Sequence, residues 1–230
     1  MRSPRRDVLT WIGSASLLGM AGSPTIVRAA MAPPIHPHDE THDAPVAEDW
    51  DMRWVERITG QYKAVVDAPE VTSGAAVDRA VSWCEQYKEV YGAARGDMTP
   101  VVVLRHLGFY LAMNDDFWLA QDTGKSLKLK DDRGKKWQKT NPLGAAAGVA
   151  QPAQAKFTLP GFIADGGIVL GCGWSFGGAV RQIMRSASLS REEATVRAKL
   201  MLIPGVILQP NGIFAALRAQ EAGCSYVMAS

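Results

Sequence analysis

Gly166-Gly167-Ile168-Val169-Leu170-Gly171-Cys172-Gly173-Trp174 is a short apolar run closed off by glycines. Ile168 to Leu170 are β-formers without charge, and the run is too brief for a helix. That pattern predicts a strand buried on both faces of an α/β sheet. Ser175 to Ser186 then read as a helix. Cys172 therefore stands at a strand's carboxyl end, just before a helix amino terminus, where open α/β sheets place their ligand sites. The helix dipole there favours thiolate over thiol. A small buried core residue is the competing reading, because free cysteine is often fully buried.

Downstream, Ser190-Arg191-Glu192-Glu193 has the form of a capping box, opening a helix through about Met201. Val206 to Leu208 predict a fourth strand ended by Pro210. Asn211-Gly212 start a helix to Ala222 with Gly223 as its cap, and Ser225 to Met228 form a fifth strand. Upstream, Gln61 to Ala68 predict the first strand. Thr72 or Ser73 is expected to cap a helix to about Tyr91, with Val77, Ala80, Val81, Cys84, Tyr87 and Tyr91 as its stripe. Thr99 to Leu104 predict the second strand. Strand, helix and strand in that order imply a right-handed crossover and parallel pairing.

Between these units, Leu107 to Gln121 read as a loop and short helix carrying Asn114. Ser126 to Trp137 read as an exposed, charged ribbon or helix edge turning at residues 132 to 134. Residues 141 to 156 are rich in Ala, Gly and Pro and read as a long loop. Asp51 to Thr59 predict a short helical turn that packs Trp54 against the domain.

Residues 1 to 32 have the form of an export signal. The twin-arginine pair Arg5-Arg6 precedes a mild apolar segment, and small residues follow near Ala29 to Ala32. The apolar segment is too short and too rich in Gly and Ser for a membrane span, so no stable membrane insertion is expected after cleavage. Residues 33 to 59 are expected to be a flexible leader, and 60 to 230 a single domain. His36, His38 and His42 lie in that leader at a spacing open to loose metal binding, although a solvated tail is the stronger reading.

The chain has 230 residues, with 25 basic and 23 acidic. Loss of residues 1 to 32 removes Arg2, Arg5, Arg6 and Arg28 against Asp7, leaving 21 basic and 22 acidic. No basic excess then points to nucleic acid. The three cysteines leave an odd one in an exported protein, and Cys84 and Cys224 either pair or fill core space. No Walker loop, GxSxG elbow, HExxH motif or internal repeat is present.

A parallel sheet gathers its carboxyl ends along one edge. That edge is expected to hold Asp67, Arg105, His106, Cys172, Trp174, Gln209 and Asn211. A thiol beside a guanidinium and an imidazole is a coherent nucleophile environment, with Arg105 or His106 stabilising the thiolate. The alternative is an Asp67–Arg105 structural ion pair. In a non-catalytic module at the same crevice, Arg105, Asn114 and Trp174 would contact the ligand.

The succession GGIVLGCGW, SREEATVRAKLML and IPGVILQPNGIFAALRAQEAGCSYVMAS resembles the DsrE/DsrF-like (DsrEFH-like) family, most closely over residues 160 to 230. The resemblance implies a three-layer α/β/α sandwich with a mainly parallel five-stranded sheet, commonly in homo- or hetero-oligomers. Residues 122 to 156 resemble an insertion relative to the small cytoplasmic members. VVVLRHLG, AMNDDFW and TNP resemble an exported subgroup. Some members relay sulfur as a persulfide on a cysteine after the third core strand, and Cys172 occupies the matching place. The resulting expectation is a periplasmic protein handling a small sulfur-containing ligand or partner protein. Cys172, His106 and Arg105 would be the reacting groups, with no cofactor and no metal. The alternative is a ligand-binding or partner-binding module of the same fold.

Overall fold

The apolar runs pair in parallel into one sheet. In the computed structural model, which describes residues 50–131, 133–145 and 152–229, five strands form it: β1 (Tyr62–Ala68), β2 (Met98–Leu104), β3 (Ile168–Cys172), β4 (Val206–Gln209) and β5 (Ser225–Met228). Their order is β4-β3-β2-β1-β5, and every neighbouring pair is parallel. The fold is therefore a three-layer α/β structure with the parallel sheet expected from sequence.

The layers follow from the two-residue period of a strand. Val66, Val102 and Val169 point to one face, where they pack with α1 (Ala75–Tyr91), α5 (Gly173–Ala187) and α6 (Arg191–Leu200). Val65, Val101, Val103, Ile168 and Leu170 point to the other face, against Ala215, Ala216 and Ala219 of α7 (Gly212–Glu221). Trp54, 1% exposed in the 3₁₀ turn Arg53–Arg57, joins this second cluster. The packed domain thus begins before residue 60, and the leader boundary expected at residue 59 falls too late. Residues 1 to 49, with the expected signal and His36, His38 and His42, lie outside the described residues.

Handedness explains the two faces. The chain steps from β1 to β2, β3 and β4 in one direction, then returns across the sheet to β5 beside β1. Right-handed crossovers put helices of the outward steps on one face and that of the return step on the other.

Local chemistry sets the element ends. Ser190 Oγ accepts from Glu193 N–H while Glu193 Oε2 accepts from Ser190 N–H, the expected capping box. Asn211 caps α7 through Phe214 N–H, and Gly223 turns out of the helix at φ +94. The start of α1 departs from expectation. Thr72 enters a 3₁₀ turn, and Gly74 at φ +88 takes the cap position without a side-chain bond.

From β2 the chain runs through the 3₁₀ segment His106–Ala112 to α2 (Asp115–Ala120) and α3 (Thr123–Ser126). A ribbon closed by Lys130 and Trp137 follows, with Lys130 Nζ 3.3 Å from the Trp137 ring centroid. Asn141 is buried and donates from Nδ2 to the Leu111 and Met113 carbonyls, pinning the start of the Ala/Gly/Pro-rich segment. That segment rejoins the core at α4 (Leu159–Ala164). No helix among the described residues is long and apolar enough to cross a membrane.

Candidate functional site

The strand order decides where a crevice opens. β3 leads into α5 on one face, whereas its neighbour β4 leads into α7 on the other. Adjacent strands whose connections part to opposite faces form a topological switch point, the usual ligand crevice of open α/β sheets. Here it lies between Cys172 and Gln209, which are register partners.

Gly173 lets the start of α5 pack closely against the end of β4 at this crevice. A Cβ on Gly173 would come 2.8 Å from the Gln209 carbonyl oxygen and 3.1 Å from the Trp50 ring, so no side chain fits there. A cavity of about 760 Å³ extends from this point along the free edge of β4. Gly173, Phe176, Gly177 and Val180 form one wall, at helical spacing on α5; Arg191, Thr195 and Lys199 form the other, at every fourth residue of α6. Leu202 and β4 residues Val206 to Leu208 make the floor, and Trp50 and Asp51 close the end. The volume falls within the usual range for small-molecule sites.

Cys172 backs this crevice. It is 5% exposed and packs within the apolar cluster that includes Phe176. It is the amino-terminal cap residue of the 15-residue α5. Gln209 is 0% exposed; its Nε2 donates to the Asp51 and Leu208 carbonyls, while its buried Oε1 has no partner among the described residues.

The other half of the same edge is closed by a charge network. Arg105 Nε and Nη2 donate to Asp67 Oδ1 and Oδ2 at 2.7 and 2.8 Å, a two-pronged pair. Tyr226 Oη donates to Asp67 Oδ2 at 2.7 Å. Asp67 is 2% exposed and Arg105 20%. Both Arg105 and Tyr226 hold their protons to higher pH than usual, chiefly through the hydrogen bonds to Asp67. Arg105 is thus spent on Asp67, the structural alternative weighed from sequence. No hydrogen bond or ion pair joins it or His106 to Cys172 among the described residues. His106 is exposed and holds a left-handed backbone at φ +47.

Asn114 lies elsewhere. Its N–H donates to the Met201 carbonyl, Met113 bridges Leu202, and Asn114 lines a smaller cavity with Ile203 and Pro204. Those residues precede β4, so Asn114 sits at the amino-terminal side of that strand, where its side chain caps α2 through Phe117 N–H. Trp174 is exposed on the first turn of α5, and Asn211 is occupied as the α7 cap. The edge therefore unites Asp67 with Arg105 and Cys172 with Gln209, and leaves Asn114 out.

Sequence reasoning missed Tyr226, Trp50, Arg191 and Lys199. The last two carried a signal, a basic pair eight residues apart on one helix face, readable only once the face it lines is known. Cys84 and Cys224 are free thiols, and burial pushes both up to about 11. Among the described residues, no group of three His, Cys, Asp or Glu side chains is placed to hold a metal. The chain matches no protein-family model and no curated protein.

Proposed function

We infer that this protein is a small-ligand-binding module of DsrE-like type. It would act in the periplasm after twin-arginine export and self-associate there, with its ligand in the crevice between β3 and β4. The observation that carries the reading is the cavity of about 760 Å³ that starts at the switch point beside Gly173. Two further features agree with binding without catalysis. Cys172 is 5% exposed among apolar neighbours, and Arg105, the cation expected to stabilise its thiolate, already pairs with Asp67.

A second reading, handling of small sulfur species through a persulfide on Cys172, is favoured by one observation. Cys172 ends β3 and caps α5, one residue from a wall of the cavity.

Thiol titration of the folded protein near neutral pH separates the two. Cys84 and Cys224 stay silent under those conditions, because thiols held at about 11 carry almost no thiolate. The binding reading expects Cys172 to label only as the protein unfolds, and ligand binding to survive Cys172→Ala. Rapid labelling of Cys172, with one sulfur atom gained on it after polysulfide treatment and lost in Cys172→Ser, would overturn it in favour of sulfur transfer.

A further inference from the structure

The geometry points to a small amphiphilic anion as the occupant of the switch-point cavity, an apolar body carrying one carboxylate, sulfonate or similar group; this rests on the binding reading above. The cavity is apolar along its depth and cationic at its mouth. Phe176, Val180, Leu202 and Val206 line the interior. Gly177 removes a side chain from the α5 wall, so a flat or linear hydrocarbon body can lie against the helix backbone. At Gly177 this room is real: an added Cβ would meet only Arg181 Nη1, at 3.6 Å.

The α6 wall supplies the charge. Arg191 and Lys199 stand two helical turns apart on either side of Thr195, and neither side chain has an ion-pair or hydrogen-bond partner among the described residues. Their long stems let both heads reach the mouth above Thr195. The Thr195 hydroxyl is spent on the Arg191 carbonyl at 2.7 Å, so the two cations are the donors left on that wall. The one carboxylate lining the cavity, Asp51, is forked by Arg53 Nε and Nη2 at 2.8 Å each, and those bonds hold it ionised, with its pKa at about 2. Its charge is thereby matched within the same segment. What remains uncompensated at the rim is positive, which selects against cationic ligands and favours an anion. An apolar interior with a few charged groups at its mouth orients such a ligand with its body inward.

The test compares two fluorescent probes that share a fused-ring body and differ in one charge. Anilinonaphthalene sulfonate carries an anion and N-phenylnaphthylamine does not. Both are titrated into the folded chain at low salt. The anionic probe is expected to bind about tenfold more tightly, a charge-assisted contact or two. The double variant Arg191→Gln/Lys199→Gln should abolish that difference. Gly177→Leu, which fills the α5 wall with a residue of higher helix propensity, should weaken both probes at least tenfold. Equal binding of the two probes, with Gly177→Leu still expelling both, overturns the anionic class while the cavity remains the binding site. A preference that survives the double variant also overturns it. Indifference of both probes to Gly177→Leu removes the cavity itself and the binding reading with it.

Discussion

Two halves of one sheet edge behave in opposite ways. At the ends of β1, β2 and β5, Asp67, Arg105 and Tyr226 bond to one another and close the edge. At the ends of β3 and β4, Cys172, Gly173 and Gln209 bring no charge, and a cavity opens instead. Each half also has a helical glycine, and the two do contrary work. Gly212 lets α7 begin against Arg105, where a Cβ would meet Arg105 Cβ at 2.5 Å and Cδ at 2.7 Å. Gly177 leaves space empty. Charged groups at a strand end are thus no sign of a site by themselves, because a saturated network has nothing left to offer a ligand.

The largest effect should come from Asp67→Ala, which strands the mostly buried Arg105 guanidinium and is expected to cost about 3 kcal/mol in a denaturant titration. A loss under 1 kcal/mol would mean that water already serves Arg105, and the closed half would not be closed. Gly212→Ala drives a methyl into Arg105 and should lose about 2 kcal/mol by the same measurement. Tyr226→Phe removes one hydrogen bond and should cost about 1 kcal/mol near neutral pH. It also carries a pH signature. Folding holds the Tyr226 proton more tightly than the unfolded chain does, so its stabilisation is complete below the unfolded tyrosine value of about 10. It disappears as pH rises through the higher folded value, and Tyr226→Phe should flatten that alkaline loss. The smallest effect belongs to Gly177→Ala, which should raise stability by up to about 1 kcal/mol through helix propensity alone. A loss there would show that the open half is more tightly filled than the cavity implies.

Much of the local structure was legible in the residues. The strand ranges agree to within a residue or two, because short apolar runs rich in β-formers have few other stable uses in a chain this size. The Ser190–Glu193 box and the Asn211 cap were readable because their partners lie three residues away. The candidate site was legible only in part. Cys172, Gln209, Arg105 and Asp67 were placed on the right edge by parallel topology. Arg105's commitment to Asp67 depends on a pairing across 38 positions, and Tyr226 reaches Asp67 across 159. Asn114 was expected to contact a ligand at the same crevice, yet the 3₁₀ segment carries the chain down the sheet to the approach of β4.

The sequence alone determined which segments are strands and helices, that the first crossover is right-handed, and that a cysteine ends the third strand before a helix. Those features are written in hydrophobic period and capping chemistry, which act over a few residues. Only the tertiary structure decided that β4 lies at an edge and that the chain recrosses to β5 on the far face. That order places the switch point between β3 and β4 and lets α5 and α6 flank an open cavity. Strand order is selected by contacts between residues far apart in the chain, and no local propensity encodes them.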